Sequence, residues 1–123
     1  MSRGVEHDPW SFLPLKPDVF LILTLLAEEQ RHGYGIMQAA AAWPGGGMEI
    51  QAGALYRRLK WMLGEGLIFE SDSYDAVSGE GDRRRFYQIT DLGRKVARAE
   101  ALRMRELLAA AGRVALIPDG ERA

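Results

Sequence analysis

The chain of 123 residues is 47% hydrophobic and 27% charged, with 14 glycines and no cysteine, a balance that suits one globular domain with one core. The lack of cysteine excludes a disulfide framework, a thiol nucleophile and a thiolate-ligated metal, and the 2 histidines are too few for a structural metal centre. Sixteen Lys and Arg against 17 Asp and Glu leave a net charge of −1, so bulk charge marks neither nucleic acid nor membrane as a partner. The longest mostly apolar run, 19–27, falls short of the roughly 20 residues of a bilayer span. The first residues also lack the basic-then-apolar order of a signal peptide. The expectation is a cytoplasmic protein with no membrane partner.

In chain order, residues 1–14 hold Gly4, Pro9 and Pro14 around Trp10, Phe12 and Leu13. They read as an irregular arm whose aromatics need a surface to dock on. Pro17 and Asp18 open a first helix, apolar almost all round and so buried on several sides, which the pattern carries to about Gly33. A second helix over 34–43 puts Tyr34, Met37 and Ala41 on one face and stops at Pro44 and the glycines after it. In a third helix, over 51–65, Leu55, Leu59, Met62 and Leu63 fall within roughly 100 degrees of one another and form a buried stripe. Its opposite face carries Gly53, Ala54, Arg57, Lys60 and Trp61, with Tyr56 on one flank and Arg58 beyond the stripe.

Gly66 stops that helix, and 67–71 and 84–89 read as two short strands joined by a polar loop over 72–83. Thr90 and Asp91 offer oxygens to cap a last helix running from 92 to at least 111, with Pro118 as its outer limit. Along it Ala97, Ala101, Met104, Leu108, Ala111 and Ala115 recur at alternating spacings of four and three, which is a coiled-coil seam. Positive charge gathers in two of these helices: 51–66 has three cations against one acid, and 91–113 six against three.

The order is that of a mainly α protein with a small β-hairpin. It implies an arm at 1–14, a winged helix-turn-helix over 15–90, a long C-terminal dimerisation helix over 91–117 and a tail at 118–123. The strings FLILTLLAEEQRHGYGIMQ, GALYRRLKWMLGEGLI and DRRRFYQITDLGRKVARAE resemble the bacterial PadR-type transcriptional regulators over about 13–110. The likeness rests on His32-Gly33-Tyr34, Leu55-Tyr56 with Leu59, Gly66-Leu67-Ile68 and the 83–90 run before a helix. The single C-terminal helix resembles the shorter subfamily. The resemblance implies a homodimeric repressor that binds a pseudo-palindromic operator in double-stranded DNA and is released by a small molecule or another signal. Two departures stand out: Ala52 and Ala54 replace the Pro and Thr common in the family, and Asp72, Asp75, Glu80 and Asp82 crowd the wing.

Arg57 and Lys60 are the candidates for reaching into the major groove, with Tyr56 contacting phosphate or a base edge, Ala54 on the same face and backbone amides near Gln51 and Gly53 meeting phosphate. Arg83, Arg84 and Arg85 are candidates for gripping the minor-groove side or the flanking phosphates, Arg84 on one side of its strand and the other two on the opposite side. Arg58 is expected to be a clamp or ion-pair former. His32 is expected to satisfy carbonyls at a helix end rather than hold a metal. Trp10 and Trp61 are the candidates for binding a small hydrophobic or aromatic effector, and Ala97, Ala101, Met104, Leu108 and Ala111 for dimerisation. No nucleophile–base pair, phosphate loop or metal cluster appears, so neither an enzyme nor a cofactor is expected. The competing reading is a winged-helix protein-interaction module without DNA binding.

Overall fold

The structure, a computed structural model, describes residues 8–45, 47–74 and 83–118, with the backbone alone for 73, 74, 83 and 84. The arm forms a single 3-10 turn, Pro9–Phe12, begun by Asp8, whose carboxylate accepts from the Trp10 amide at 3.0 Å. It docks on the C-terminal helix of its own chain.

Helix α1, Pro17–Glu28, starts with proline and an acid, and buries Val19, Leu21, Ile22, Leu23, Leu25 and Leu26. It ends five residues before the expected Gly33. The Leu25 carbonyl accepts from the Glu29 amide and from Arg31 Nε, which closes the last turn, and Arg31–His32 leave as strand β1. Strand β1 pairs antiparallel with β3, Arg83–Ile89, with Arg31 opposite Tyr87 and His32 opposite Phe86. β3 also pairs with β2, Ile68–Tyr74, so the expected hairpin is the larger part of a three-stranded sheet in the order β1-β3-β2.

Because α1 ends early, His32 caps the start of the next helix instead of the end of the first. Its Nδ1 accepts from the Gly35 amide at 3.0 Å as α2, Gly33–Ala41, begins, and its ring meets Phe86 edge-on at 5.3 Å. Helix α3, Ala52–Gly64, follows a short connection. At its end Gly66, with φ of +78°, lets the Gly66 and Leu67 amides donate to the Leu63 and Met62 carbonyls and turns the chain into β2.

Helix α4, Asp91–Arg113, is capped by Thr90, whose hydroxyl accepts from the Gly93 amide at 2.9 Å and donates to the Gly66 carbonyl at 2.6 Å. Gly93 lies so close to the Leu67 carbonyl and to Ile89 that a β-carbon would collide with both; here glycine is needed for approach rather than for a turn. One apolar cluster joins α1, α2, α3, the sheet and the first turns of α4. Within it Glu100, 2% exposed, accepts from the Leu15 amide at 3.0 Å and takes two bonds from Arg103, at 2.6 and 3.0 Å. These donors hold its carboxyl below the usual range, with Arg103 the largest cause and the Leu15 amide adding to it, against the opposing effect of burial. The same contact raises the Arg103 guanidinium.

Candidate nucleic-acid interface

The spacing of Leu55, Leu59 and Met62 buries one side of α3, with Leu63 half-buried beside them, and leaves Tyr56, Arg57 and Lys60 exposed on the other. Arg57 and Lys60 have no ion-pair partner among the described residues. Arg58 is turned back toward the body: its Nε donates to Asp18 Oδ2 at 2.8 Å, which ties α3 to the first turn of α1. At the start of α3, Gln51 and Gly53 are exposed, and Gln51 makes no side-chain cap. The opening amides therefore lack an intrahelical acceptor and a side-chain one. Ala54, expected on the outer face, is instead half-buried against the core.

In the wing, the β2–β3 register sets Arg85 opposite Asp72, Arg84 opposite Ser73 and Arg83 opposite Tyr74. Arg85 is exposed and its Nη1 lies 3.5 Å from Glu70 Oε1. The side chains of Arg83 and Arg84 fall outside what the structure describes, as do residues 75–82 with Asp75, Glu80 and Asp82.

Sequence reasoning missed the cleft between these elements. A space of about 770 Å³ opens where α2 begins, bounded by His32, Gly33 and Tyr34, by Tyr56 of α3 and by Arg85 and Tyr87 of the sheet. The Tyr56 hydroxyl stands against Gly33, where a β-carbon would strike it. Tyr87 is only 6% exposed. Burial above all, then Glu70 and Tyr56, raise its pKa, while Arg85 pulls it down. Strand alternation could have put Tyr87 on the side of Arg85, but the closing strand β1 carried no signal of its own.

The two candidate effector tryptophans are not brought together. Trp61, 43% exposed, meets Phe12 edge-on at 6.5 Å and lines a second cleft of about 370 Å³ with Pro14, Val19, Lys16 and Arg58. Trp10 is exposed on the arm and is not part of that wall. On α4 the seam residues divide. Ala97 packs partly against the chain's own core, Met104 and Ala111 are half-buried, and Ala101 and Leu108 are exposed. Leu102 and Leu107, which the seam did not include, are exposed too. Ala115 lies beyond the end of the helix. Among the described residues no cluster of three or more potential metal ligands occurs, and no helix is long and apolar enough to cross a membrane.

The family described as "Transcriptional regulator PadR-like family" matches residues 22–99. Among solved structures, the chain resembles a PadR family transcription regulator from hypervirulent Clostridium difficile R20291, with a TM-score of 0.70 and 22% identity over 80% of this chain and 98% of that one. It resembles a PadR-like transcriptional regulator from Bacillus cereus ATCC 14579 with a TM-score of 0.65 and 20% identity, over 84% of this chain and 92% of the other. Bacillus subtilis PadR, in complex with operator DNA, matches with a TM-score of 0.59 and 23% identity over 70% of this chain, but only 47% of its own length. No curated protein sequence matches.

Proposed function

The chain belongs to the PadR-like family of transcriptional regulators, and from that premise we propose that it is a homodimeric DNA-binding repressor acting in the cytoplasm. Two copies of α3 enter successive major-groove faces of a pseudo-palindromic operator, roughly 34 Å apart, while the wings grip the flanks. The observation that carries this reading is the exposed trio Tyr56, Arg57 and Lys60 on one side of a helix whose other side is locked into the core. The operator complex of the Bacillus subtilis relative supports duplex DNA as the partner.

Dimerisation falls to the later turns of α4, where Ala101, Met104, Leu108 and Ala111, joined by Leu107, run along a helix with nothing buried after Glu100. A contiguous apolar stripe of that kind marks an association surface. The effector role attaches to Trp61 and its cleft, where Phe12 and Pro14 give apolar walls and Lys16 a cation. A flat hydrophobic or aromatic molecule there would press on the helix that carries Arg57.

The test is binding to a duplex from the promoter of its own gene. Arg57→Ala and Lys60→Ala are each expected to weaken it by roughly tenfold or more, with the dimer and its melting temperature retained. For the wild type, affinity should fall steeply from 50 to 200 mM salt. Equal affinity of wild type and both variants in a gel shift, or no duplex bound at 50 mM salt, would overturn the assignment.

A further inference from the structure

Positive charge gathers on α4 as well as on α3, and neither duplex binding nor dimerisation accounts for it. Arg94, Lys95, Arg98 and Arg105 are all exposed, and none has an ion-pair partner among the described residues. Arg103 differs from them: Glu100 holds it at 2.6 Å. At 3.6 residues per turn, Arg94, Arg98 and Arg105 fall within roughly 40 degrees of one another. They lie on the side of α4 opposite Val96, Ala99 and Glu100, which are buried against the body. Leu102, 39% exposed, continues that side one turn beyond Arg98.

We propose that this stripe docks an acidic amphipathic helix of a protein partner, whose carboxylates meet Arg94, Arg98 and Arg105 and whose apolar side chain covers Leu102. A merely solvated helix face mixes its charges, because opposite signs four residues apart support a helix and like signs weaken it. Here Arg94 and Arg98 stand four apart with the same sign, so the stability of α4 does not account for them. A guanidinium also differs from an ammonium in presenting a planar fork that a carboxylate fills with two hydrogen bonds.

Spacing selects the shape of the partner. Along α4 the step from Arg94 to Arg98 is about 6 Å and from Arg98 to Arg105 about 10.5 Å. A second helix laid alongside repeats both intervals with acids on one face. An extended strand, rising about 3.3 Å per residue, meets the first step with two residues but the second with three, which turns that side chain to the wrong face. A nucleic-acid backbone winds away from a straight row of about 16 Å, and its phosphates give Leu102 nothing apolar to cover.

Position leaves the stripe open. The start of α4 is fastened beside the C-terminal end of α3, where the Thr90 hydroxyl donates to the Gly66 carbonyl and Gly93 sits against the Leu67 carbonyl. The proposed duplex contacts begin at the other end of α3, one helix length or about 20 Å away. Arg94 and Arg98 also precede the later turns of α4 assigned to the dimer. A regulator bound to DNA as a dimer therefore presents two such stripes to a partner.

The probe is a fluorescein-labelled helical peptide of about 18 residues, roughly five turns, built on alanine and glutamine. It carries glutamates at the spacings of Arg94, Arg98 and Arg105 and a leucine at that of Leu102. In fluorescence anisotropy at about 50 mM salt, the wild type is expected to bind it about tenfold more tightly than a peptide of the same composition with its glutamates dispersed round the helix. Arg94→Gln, Arg98→Gln and Arg105→Gln should each cost about three- to fivefold, and together about 30-fold or more. Those losses should shrink as salt rises, whereas the loss from Leu102→Ala should persist. Arg94→Glu combined with Arg98→Glu should instead prefer the peptide with lysines in place of glutamates, a reversal that a folding defect cannot produce. If the triple glutamine variant binds the glutamate peptide like the wild type, or if the reversal does not appear, the docking surface is wrong. If the triple variant loses a random-sequence duplex as Arg57→Ala does, the stripe serves nucleic acid and the proposal is overturned. The promoter-duplex test of the regulator reading is unaffected by either outcome.

Discussion

The two halves of α4 are one continuous helix in two different environments. As far as Glu100 it buries Gly93, Val96, Ala99 and Glu100 against the winged-helix body; from Ala101 to Arg113 no residue is fully buried, although Leu102, Leu107 and Leu108 lie there. Helical propensity cannot explain the second half, because an isolated helical segment of that length is marginal in water. Full burial of one leucine contributes about 1.5–3 kcal/mol. In the proposed dimer, Leu107 and Leu108 from each of two copies would therefore outweigh anything the exposed ion pairs of the surface can supply. The first half belongs to the fold, the second is the half we propose for assembly, and the Glu100 carboxylate marks the boundary by accepting from the Leu15 amide, just after the arm.

The sharpest way to break that division is at the boundary. Glu100→Ala removes the acceptor for the buried Leu15 amide and for Arg103 and leaves a void, and is expected to lower stability by about 2–3 kcal/mol. Arg103 is 33% exposed, and that solvent contact keeps the figure below that of a fully buried pair. Urea denaturation at fixed protein concentration measures the loss; a midpoint equal to wild type would mean the chain at Leu15 is not fastened there. The next effect is on assembly. Leu108, 58% exposed, lies in the half that the core does not use, so Leu108→Glu should weaken the dimer by on the order of 100-fold, about 2.7 kcal/mol. The fold should survive, and the melting temperature should lose its dependence on concentration. Sedimentation that still shows a tight dimer would move the interface elsewhere.

What the sequence carried, and what it did not, follows the same line between local and long-range causes. The stripe of Leu55, Leu59 and Met62, the Gly66 stop and the Thr90 cap are local patterns, and they led to α3, to the turn after it and to α4. The end of α1 was not legible. Glu28, Glu29, Gln30 and Arg31 are all compatible with a helix, and what ends it is a ladder to Tyr87 and Phe86 more than 50 residues away. With β1 unseen, the role of His32 was misplaced and the cleft around Tyr87 was invisible. The helical wheel placed Arg57 and Lys60 correctly on the outside, because their exposure needs only the stripe opposite them. It failed for Ala54, which the core reaches from a flank that no wheel describes.

The smallest effect distinguishes the two halves by pH. Hydrogen bonds from Arg103, aided by the Leu15 amide, outweigh burial and hold the folded Glu100 carboxyl below the usual range. The unfolded chain takes up that proton first, from roughly pH 4.3 downward. The carboxylate's contribution is therefore complete above that value and fades as the pH falls from there through the lower folded pKa. Urea midpoints measured from about pH 6 to about pH 3, which spans the ordinary carboxylate range, should decline for the wild type more steeply than for Glu100→Gln, which has no such proton to gain. Glu106→Gln makes the same charge change on the exposed half and serves as the reference. Parallel profiles for Glu100→Gln and Glu106→Gln would mean that the carboxylate at the boundary is held no more tightly than one on the open surface, and the division of α4 would have to rest on its leucines alone.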